Sequence, residues 1–319
     1  MNEERFKLFA GNANPNLARE MANHLGIPLS QAHVSQFRDG EVRVQIDETV
    51  RGCNVFILQP TCAPVNDNLM ELLVMIDAFK RASAKTINAV IPYYGYARQE
   101  RKSKPRDPIS AKLVANLITC AGADRVICMD LHAGAIQGFF DIPVDHLSGI
   151  PLLADYYNKK RESGELEGEI VVVSPDIGGV TRARDLADRL NCGIVIVDKR
   201  RPEPGVAEIM NIIGKVKNRI AIIPDDIIDS GGTITLGAEA IMEAGAREVH
   251  ICATHALFSN SAALRLSASC AKEIVVTNTI PPKPDALQCE KIKVLSVGSL
   301  LGEAIRSINY NLSVSRLFD

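Results

Sequence analysis

The chain has 319 residues, enough for two domains or one large one with an ample core. With 46% hydrophobic residues, and 36 basic against 38 acidic side chains for a net charge of −2, it is globular rather than disordered and gives no electrostatic case for nucleic acid. Eight cysteines scattered singly, a polar start at Asn2-Glu3-Glu4-Arg5 and no apolar run near the roughly 18 residues of a membrane helix lead us to expect reduced thiols, no signal peptide, no membrane partner and a cytoplasmic location.

Strand-like runs at 6–9, 55–58, 88–91, 125–129, 170–173, 194–197, 219–223, 249–253 and 274–276 alternate with helical patterns. This predicts an α/β protein with mainly parallel sheets flanked by helices. In chain order, the first segment with chemistry is Phe37-Arg38-Asp39-Gly40-Glu41, a hairpin-like turn pairing an aromatic with two acids. An aromatic face stacks on purines and acids accept from an exocyclic amino group, but in isolation the segment reads as a turn.

After the strand at 88–91 comes Tyr93-Tyr94-Gly95-Tyr96-Ala97-Arg98-Gln99-Glu100-Arg101-Lys102, in which aromatics and a glycine give way to cations. Such a loop suits a polyphosphate, with Arg binding two oxygens and Lys acting as a point charge; a solvated charged loop has equal weight. The next strand, 125–129, ends in Asp130-Leu131-His132. Period-two alternation puts Asp130 and His132 on one side at the ligand edge, either sharing a metal or with the histidine donating to the aspartate. Val171-Val172-Val173-Ser174-Pro175-Asp176 is a third strand end. There Asp176 either meets a cation or water, or caps the following turn. Asp198-Lys199-Arg200-Arg201 closes a fourth, either as a solubilising turn or as cations that stabilise charge in phosphoryl transfer.

The densest signal is Pro224-Asp225-Asp226-Ile227-Ile228-Asp229-Ser230-Gly231-Gly232-Thr233, after the apolar run Ile220–Ile223 and before a helical pattern. The reading places the acids on a strand-to-helix loop, at the carboxyl edge where ligands bind in open α/β folds. Glycines allow close approach of N–H groups to an anion, the helix start adds positive dipole, and Ser230 and Thr233 add hydroxyls. Asp225 and Asp226 suit sugar hydroxyls or a hydrated cation. A loop that grips phosphate and diol together describes a ribose 5-phosphate site.

The plan also repeats. The segment from Leu17 matches that from Arg182, and the segment from Ala78 matches that from Ala240, at nearly constant offset. Two tandem homologous domains follow, 1–149 and 150–319, with the last helix able to pack back on the first domain. Opposite the Gly-Gly-Thr loop the first copy has Thr61-Cys62-Ala63-Pro64-Val65, without Gly-Gly, so the halves divide the labour.

In this order and spacing the segments FRDGE, NDNLMELL, PYYGYARQERK, DLHAGAIQGFF, VVSPDIGG, DKRRP and DDIIDSGGT resemble the bacterial, phosphate-dependent ribose-phosphate pyrophosphokinases over the whole chain. The resemblance implies two phosphoribosyltransferase-like domains, an ATP side (1–149) and a ribose 5-phosphate side (150–319). It implies transfer of the pyrophosphoryl group of MgATP to the anomeric hydroxyl of ribose 5-phosphate, giving 5-phosphoribosyl 1-pyrophosphate and AMP for the biosynthesis of nucleotides, His, Trp and NAD. By resemblance, Lys199 and Arg201 are catalytic and Phe37, Asp39, Gly40, Glu41, Arg98 and Gln99 bind ATP. Asp225, Asp226, Asp229, Ser230, Gly231, Gly232 and Thr233 bind ribose 5-phosphate, and His132 and Asp176 serve Mg2+, used both free and as MgATP. A homohexamer, activation by inorganic phosphate and inhibition by ADP are also implied, with Ser313 and Arg316 as candidates for that control. Glu100 and Ser230 depart mildly from the family pattern, and Glu203-Pro204-Gly205 departs in the loop after the cations. The alternatives are a single-domain phosphoribosyltransferase, or a non-catalytic regulatory subunit of the same fold.

Overall fold

The computed structural model describes residues 6–200 and 209–317, without the side chains of 199, 200, 209 and 210. The chain divides into two compact units, the first of residues 1–148, 279–281 and 296–319, the second of 149–278 and 282–295.

The first unit begins with β1 (Phe6–Ala10) and α1 (Pro15–Leu25). Local sequence explains α1 well. Asn14 Oδ1 accepts from Leu17 N at 3.2 Å, Pro15 opens the first turn where its missing N–H costs nothing, and Gly26 closes the helix at φ 69°. Leu17, Ala18, Met21 and Ala22 form the buried face. A two-stranded hairpin follows, β2 (Ala32–Gln36) and β3 (Val42–Ile46), and then β4 (Asn54–Leu58), α2 (Val65–Arg81), β5 (Thr86–Ile91), α3 (Ser110–Ala121), β6 (Arg125–Met129) and β7 (Val144–Leu147). The main sheet is parallel, in the order β1-β4-β5-β6-β7. Strand β4 is buried at all five positions, as expected for a parallel strand covered on both faces. Phe9, Ile57, Met75, Phe79, Ile91 and Ile118 anchor the core under α2 and α3.

The second unit contains α4 (Ile150–Glu162), β8 (Ile170–Ser174), α5 (Val180–Arg189), β9 (Gly193–Arg200), β10 (Ile209–Ile213), β11 (Ile220–Ile228), α6 (Gly232–Glu243), β12 (Glu248–Ala256), α7 (Ala262–Ala268), β13 (Glu273–Thr277), the short α8 (Pro284–Leu287) and β14 (Ile292–Leu295). Its sheet runs β10-β9-β8-β11-β12-β13-β14, parallel except for β10. Alternate residues of β11 feed two cores: Ala221 and Ile223 face α6, and Ile220 and Ile222 face α4 and α5.

Strands β8, β11, β12, β13 and β14 repeat the order of β1, β4, β5, β6 and β7, so the tandem repeat holds in topology. The last helix of each repeat packs on the first helix of the other copy: α4 packs on α5 in the second unit, and α9 (Gly298–Asn309) packs on α1 in the first.

Two local readings are corrected. β11 does not stop at Ile223 but continues to Ile228, so Asp225 and Asp226 lie in the strand rather than on the loop. Pairing to β12 holds them there, Asp225 opposite Ala253, whereas β8 leaves β11 at Ile222. Asp130 has φ 35°, so the alternation that put Asp130 and His132 on one side ends at Met129.

Candidate functional site

In the second unit, β11 outlasts β8 and its exposed flank is met by α5. Arg182 Nη1 lies 3.0 Å from Asp225 Oδ1, and Nη2 lies 2.9 Å from Asp226 Oδ1. Asp226 N also donates to Asp225 Oδ1 at 2.8 Å. Burial pushes the Asp225 carboxyl up to about 7, with the hydrogen bond and charge of Asp226 adding to it against the pull of Arg182. Two carboxyl groups held side by side suit the neighbouring hydroxyls of a sugar, each accepting a hydrogen bond.

Beyond Ile228 the chain turns into α6 at Gly231, whose φ of 75° favours glycine. A Cβ there would also touch Leu266 at 3.4 Å. The first turn of α6 has no side-chain cap, so its backbone N–H groups suit an anion. The loop is braced from behind: Ser259 N donates to Asp229 O at 3.0 Å, Ser259 Oγ donates to Asp229 Oδ1, and Arg265 Nη1 donates to Ser230 O. Ser230 and Gly232 are half-buried and Thr233 is exposed. The structure thus brings the carboxylate pair and the helix start together along one continuous stretch, Asp225 to Thr233.

Asp176 is exposed at the end of β8, and its Oδ1 accepts from Gly179 N at 2.8 Å. It therefore forms the turn cap that the sequence left open as one reading, while its exposure leaves the carboxylate accessible to a hard cation. Lys199 lies in β9, its backbone opposite Met210 of β10. Its side chain, and Arg201 entirely, lie outside the described residues.

In the first unit, Phe37 to Glu41 form the hairpin turn, with Phe37 N donating to Glu41 O at 2.8 Å, Gly40 at φ 95° and Glu41 N donating to Asp39 Oδ1 at 3.3 Å. Phe37 is 51% exposed, and Arg43 stands 5.8 Å from its ring centre. Arg98 and Gln99 line a cleft of about 450 Å³ with Asn66, Tyr93, Gly95 and Tyr96. Tyr96 has φ 66° and its hydroxyl donates to Asn66, while Ser110 donates to Gln99 Oε1 at 2.5 Å. His132 is exposed. A second histidine at this strand end, His146 of β7, was missed by the sequence reading: its Nε2 accepts from Leu131 N at 2.8 Å, and burial lowers its pKa against the charge of Asp130. His132 and Asp176 belong to different units, and among the described residues no group of three or more His, Cys, Asp or Glu is gathered as for a metal. All eight cysteines are free, and burial pushes Cys62 to about 11 and Cys252 to about 12, so these two stay protonated thiols.

Paired acids on a parallel strand, followed by an uncapped helix start, mark the second unit as a phosphoribosyltransferase-type α/β domain, and the first unit repeats its strand order. The N-terminal domain of ribose phosphate pyrophosphokinase matches residues 6–122, and the phosphoribosyl synthetase-associated domain matches 198–319. Ribose-phosphate pyrophosphokinase of Fusobacterium nucleatum is 56% identical over 319 residues, all of both chains. That of Caldanaerobacter subterraneus is 59% identical over 312 residues, 98% of this chain and 97% of its own. The crystal structure of phosphoribosylpyrophosphate synthetase from Mycobacterium smegmatis superposes with a TM-score of 0.89 at 43% identity, covering 96% of this chain and 99% of that one. The chain belongs to the ribose-phosphate pyrophosphokinase family.

Proposed function

We propose that the protein transfers the pyrophosphoryl group of ATP to the anomeric hydroxyl of ribose 5-phosphate, yielding 5-phosphoribosyl 1-pyrophosphate and AMP. The observation that carries this reading is the continuous Asp225–Thr233 stretch, where an acid pair suited to a diol runs into an uncapped helix start suited to a phosphate, in a chain with full-length family kinship. The second unit is the ribose 5-phosphate side. Asp225 and Asp226 hold the ribose hydroxyls, and Asp229 to Thr233 hold the 5-phosphate. The first unit is the ATP side, with Arg98 and Gln99 at their cleft and Phe37, Asp39, Gly40 and Glu41 on the hairpin, offered to a neighbouring subunit. Lys199 and Arg201 neutralise charge on the transferred group.

Phosphoryl transfer asks for positioning and charge neutralisation rather than a covalent nucleophile, which is what the residue types assigned here offer. Asp176, an exposed carboxylate, and His132, an exposed imidazole and the weaker ligand type, are the residues assigned to magnesium, with substrate phosphates as further oxygen donors. Bound there, the ion would supply charge stabilisation. No described helix is long and apolar enough to cross a membrane; a cytoplasmic enzyme accords with that and with the solitary thiols. A homohexamer, activation by inorganic phosphate and inhibition by ADP complete the reading. Ser313, which accepts from Ser315 N at 3.2 Å, and Arg316, 3.3 Å from Ser307 Oγ, are candidates for that control.

The test is to incubate the purified protein with MgATP, ribose 5-phosphate and phosphate and follow the products by ³¹P NMR. AMP and a new pyrophosphoryl sugar, both dependent on ribose 5-phosphate, are expected. Nucleotide binding without turnover would point to a regulatory subunit instead.

A further inference from the structure

Consecutive residues on a strand project to opposite faces, so Asp225 and Asp226 should not share a partner. They do, because β8 leaves β11 at Ile222 and opens the flank of the strand. Arg182, in the first turn of α5 and only 22% exposed, enters there and gives one guanidinium nitrogen to each acid, at 3.0 and 2.9 Å. A lysine cannot reproduce this, since its ammonium is a point charge while the guanidinium presents a rigid fork. Left alone, two adjacent carboxylates would repel and rotate apart.

We propose that Arg182 is a positioning residue for sugar recognition: its fork fixes Asp225 and Asp226 in a common orientation that meets the vicinal hydroxyls of ribose 5-phosphate. The inference rests on the proposed function, and it assigns Arg182 no contact with ATP. The loss of two charge-assisted hydrogen bonds at the acids should appear in the use of one substrate only.

The experiment is steady-state kinetics of wild type, Arg182→Gln and Arg182→Lys, with thermal unfolding of each. For Arg182→Gln the expected result is a roughly tenfold to hundredfold rise in KM for ribose 5-phosphate, with KM for ATP within about twofold of wild type. Arg182→Lys keeps the charge without the fork and should recover only part of that loss. If Arg182→Gln fails to fold, the same split between the two KM values in Arg182→Lys carries the test. An unchanged KM for ribose 5-phosphate, or equal rises for both substrates, overturns the role of Arg182 while an active wild type preserves the proposed function. A wild type that makes no AMP from ribose 5-phosphate overturns both.

Discussion

Asn309, in the last turn of α9, accepts a hydrogen bond at 3.0 Å from Nδ2 of Asn54, which opens β4, 255 residues earlier in the chain. Both side chains are buried, and Asn54 Oδ1 in turn accepts from Thr86 Oγ1 at 2.9 Å. Together with buried Leu301, Ala304 and Ile305 on α9, this network closes the first unit with the end of the chain.

That closure predicts how fragments behave. A fragment of residues 1–148 should lack a cooperative thermal transition, because the face of α1 carrying Leu17, Ala18 and Met21 loses its partner α9. Appending 296–319 through a flexible linker should restore one. A cooperative transition of 1–148 alone, at the midpoint of the linked form, would refute the discontinuous first unit. In the full chain, Asn309→Ala removes one hydrogen bond of the buried Asn54 amide and should cost about 0.5–1.5 kcal/mol, read by denaturant unfolding.

Glu273 begins β13 beneath α4 and receives Tyr156 OH at 2.8 Å and Lys160 Nζ at 2.9 Å on one carboxylate oxygen. His250 Nδ1 faces the other at 3.6 Å, beyond hydrogen-bond length. Burial raises the carboxyl, but the nearby His250 imidazole and the Lys160 and Tyr156 donors outweigh it and hold its pKa near 2, against an ordinary 4.5. Because the folded value lies below the unfolded one, the stabilisation is present above pH 4.5 and is lost as pH falls towards 2. At neutral pH it amounts to about 3 kcal/mol at most. Urea unfolding at stepped pH should therefore show the wild type losing stability faster than Glu273→Gln across that window. Parallel curves for the two proteins would dismiss the effect.

At Gly95 an added Cβ would sit 2.5 Å from the Thr61 carbonyl oxygen and 3.1 Å from Val65 Cγ1. Backbone atoms cannot yield as a side-chain tip can, so Gly95→Ala should cost about 1–3 kcal/mol. Relief of the clash would displace Tyr96 and with it the Arg98–Gln99 wall of the cleft. Expected are a lower unfolding midpoint and a several-fold higher KM for ATP. A normal midpoint would show that the close approach is not tight, and a lower midpoint with unchanged KM would detach the cleft from ATP.

Much of this was readable from residues, and the failures have physical causes. Long apolar runs such as Ile220–Ile223 announced parallel strands because burial on both faces leaves no polar alternation. The continuation through Asp225 and Asp226 was hidden because acids are poor strand formers and only pairing with β12 keeps them extended. Strands β7 and β14 are short and partly polar, with Asp145-His146 and Lys293, so neither periodicity nor composition marked them. The Phe37–Glu41 turn was visible, and Val42-Arg43-Val44-Gln45-Ile46 beside it alternates with period two, but both hairpin strands are only partly buried and lack the long apolar run that marked the parallel strands. Arg182 was legible as a cation on a helix, but its fork depends on where β8 parts from β11, which no single sequence reveals.

The acid pair itself gives the sharpest separation of the two substrates. Asp225 is held by Arg182 and lies one residue from Asp226, on the strand that leads into the α6 helix start. Asp225→Ala removes an acceptor for a ribose hydroxyl and leaves the guanidinium of Arg182 with a single carboxylate. The loss of hydrogen bonds to a charged group should raise KM for ribose 5-phosphate by roughly tenfold or more while ATP use changes much less. Asp225→Asn keeps the shape and one acceptor oxygen, so it should fall between wild type and Ala. Titration of ribose 5-phosphate at saturating ATP, and of ATP at saturating ribose 5-phosphate, separates the two effects. Equal losses for both substrates would mean that Asp225 acts on the shared reaction centre or on the fold rather than on the sugar.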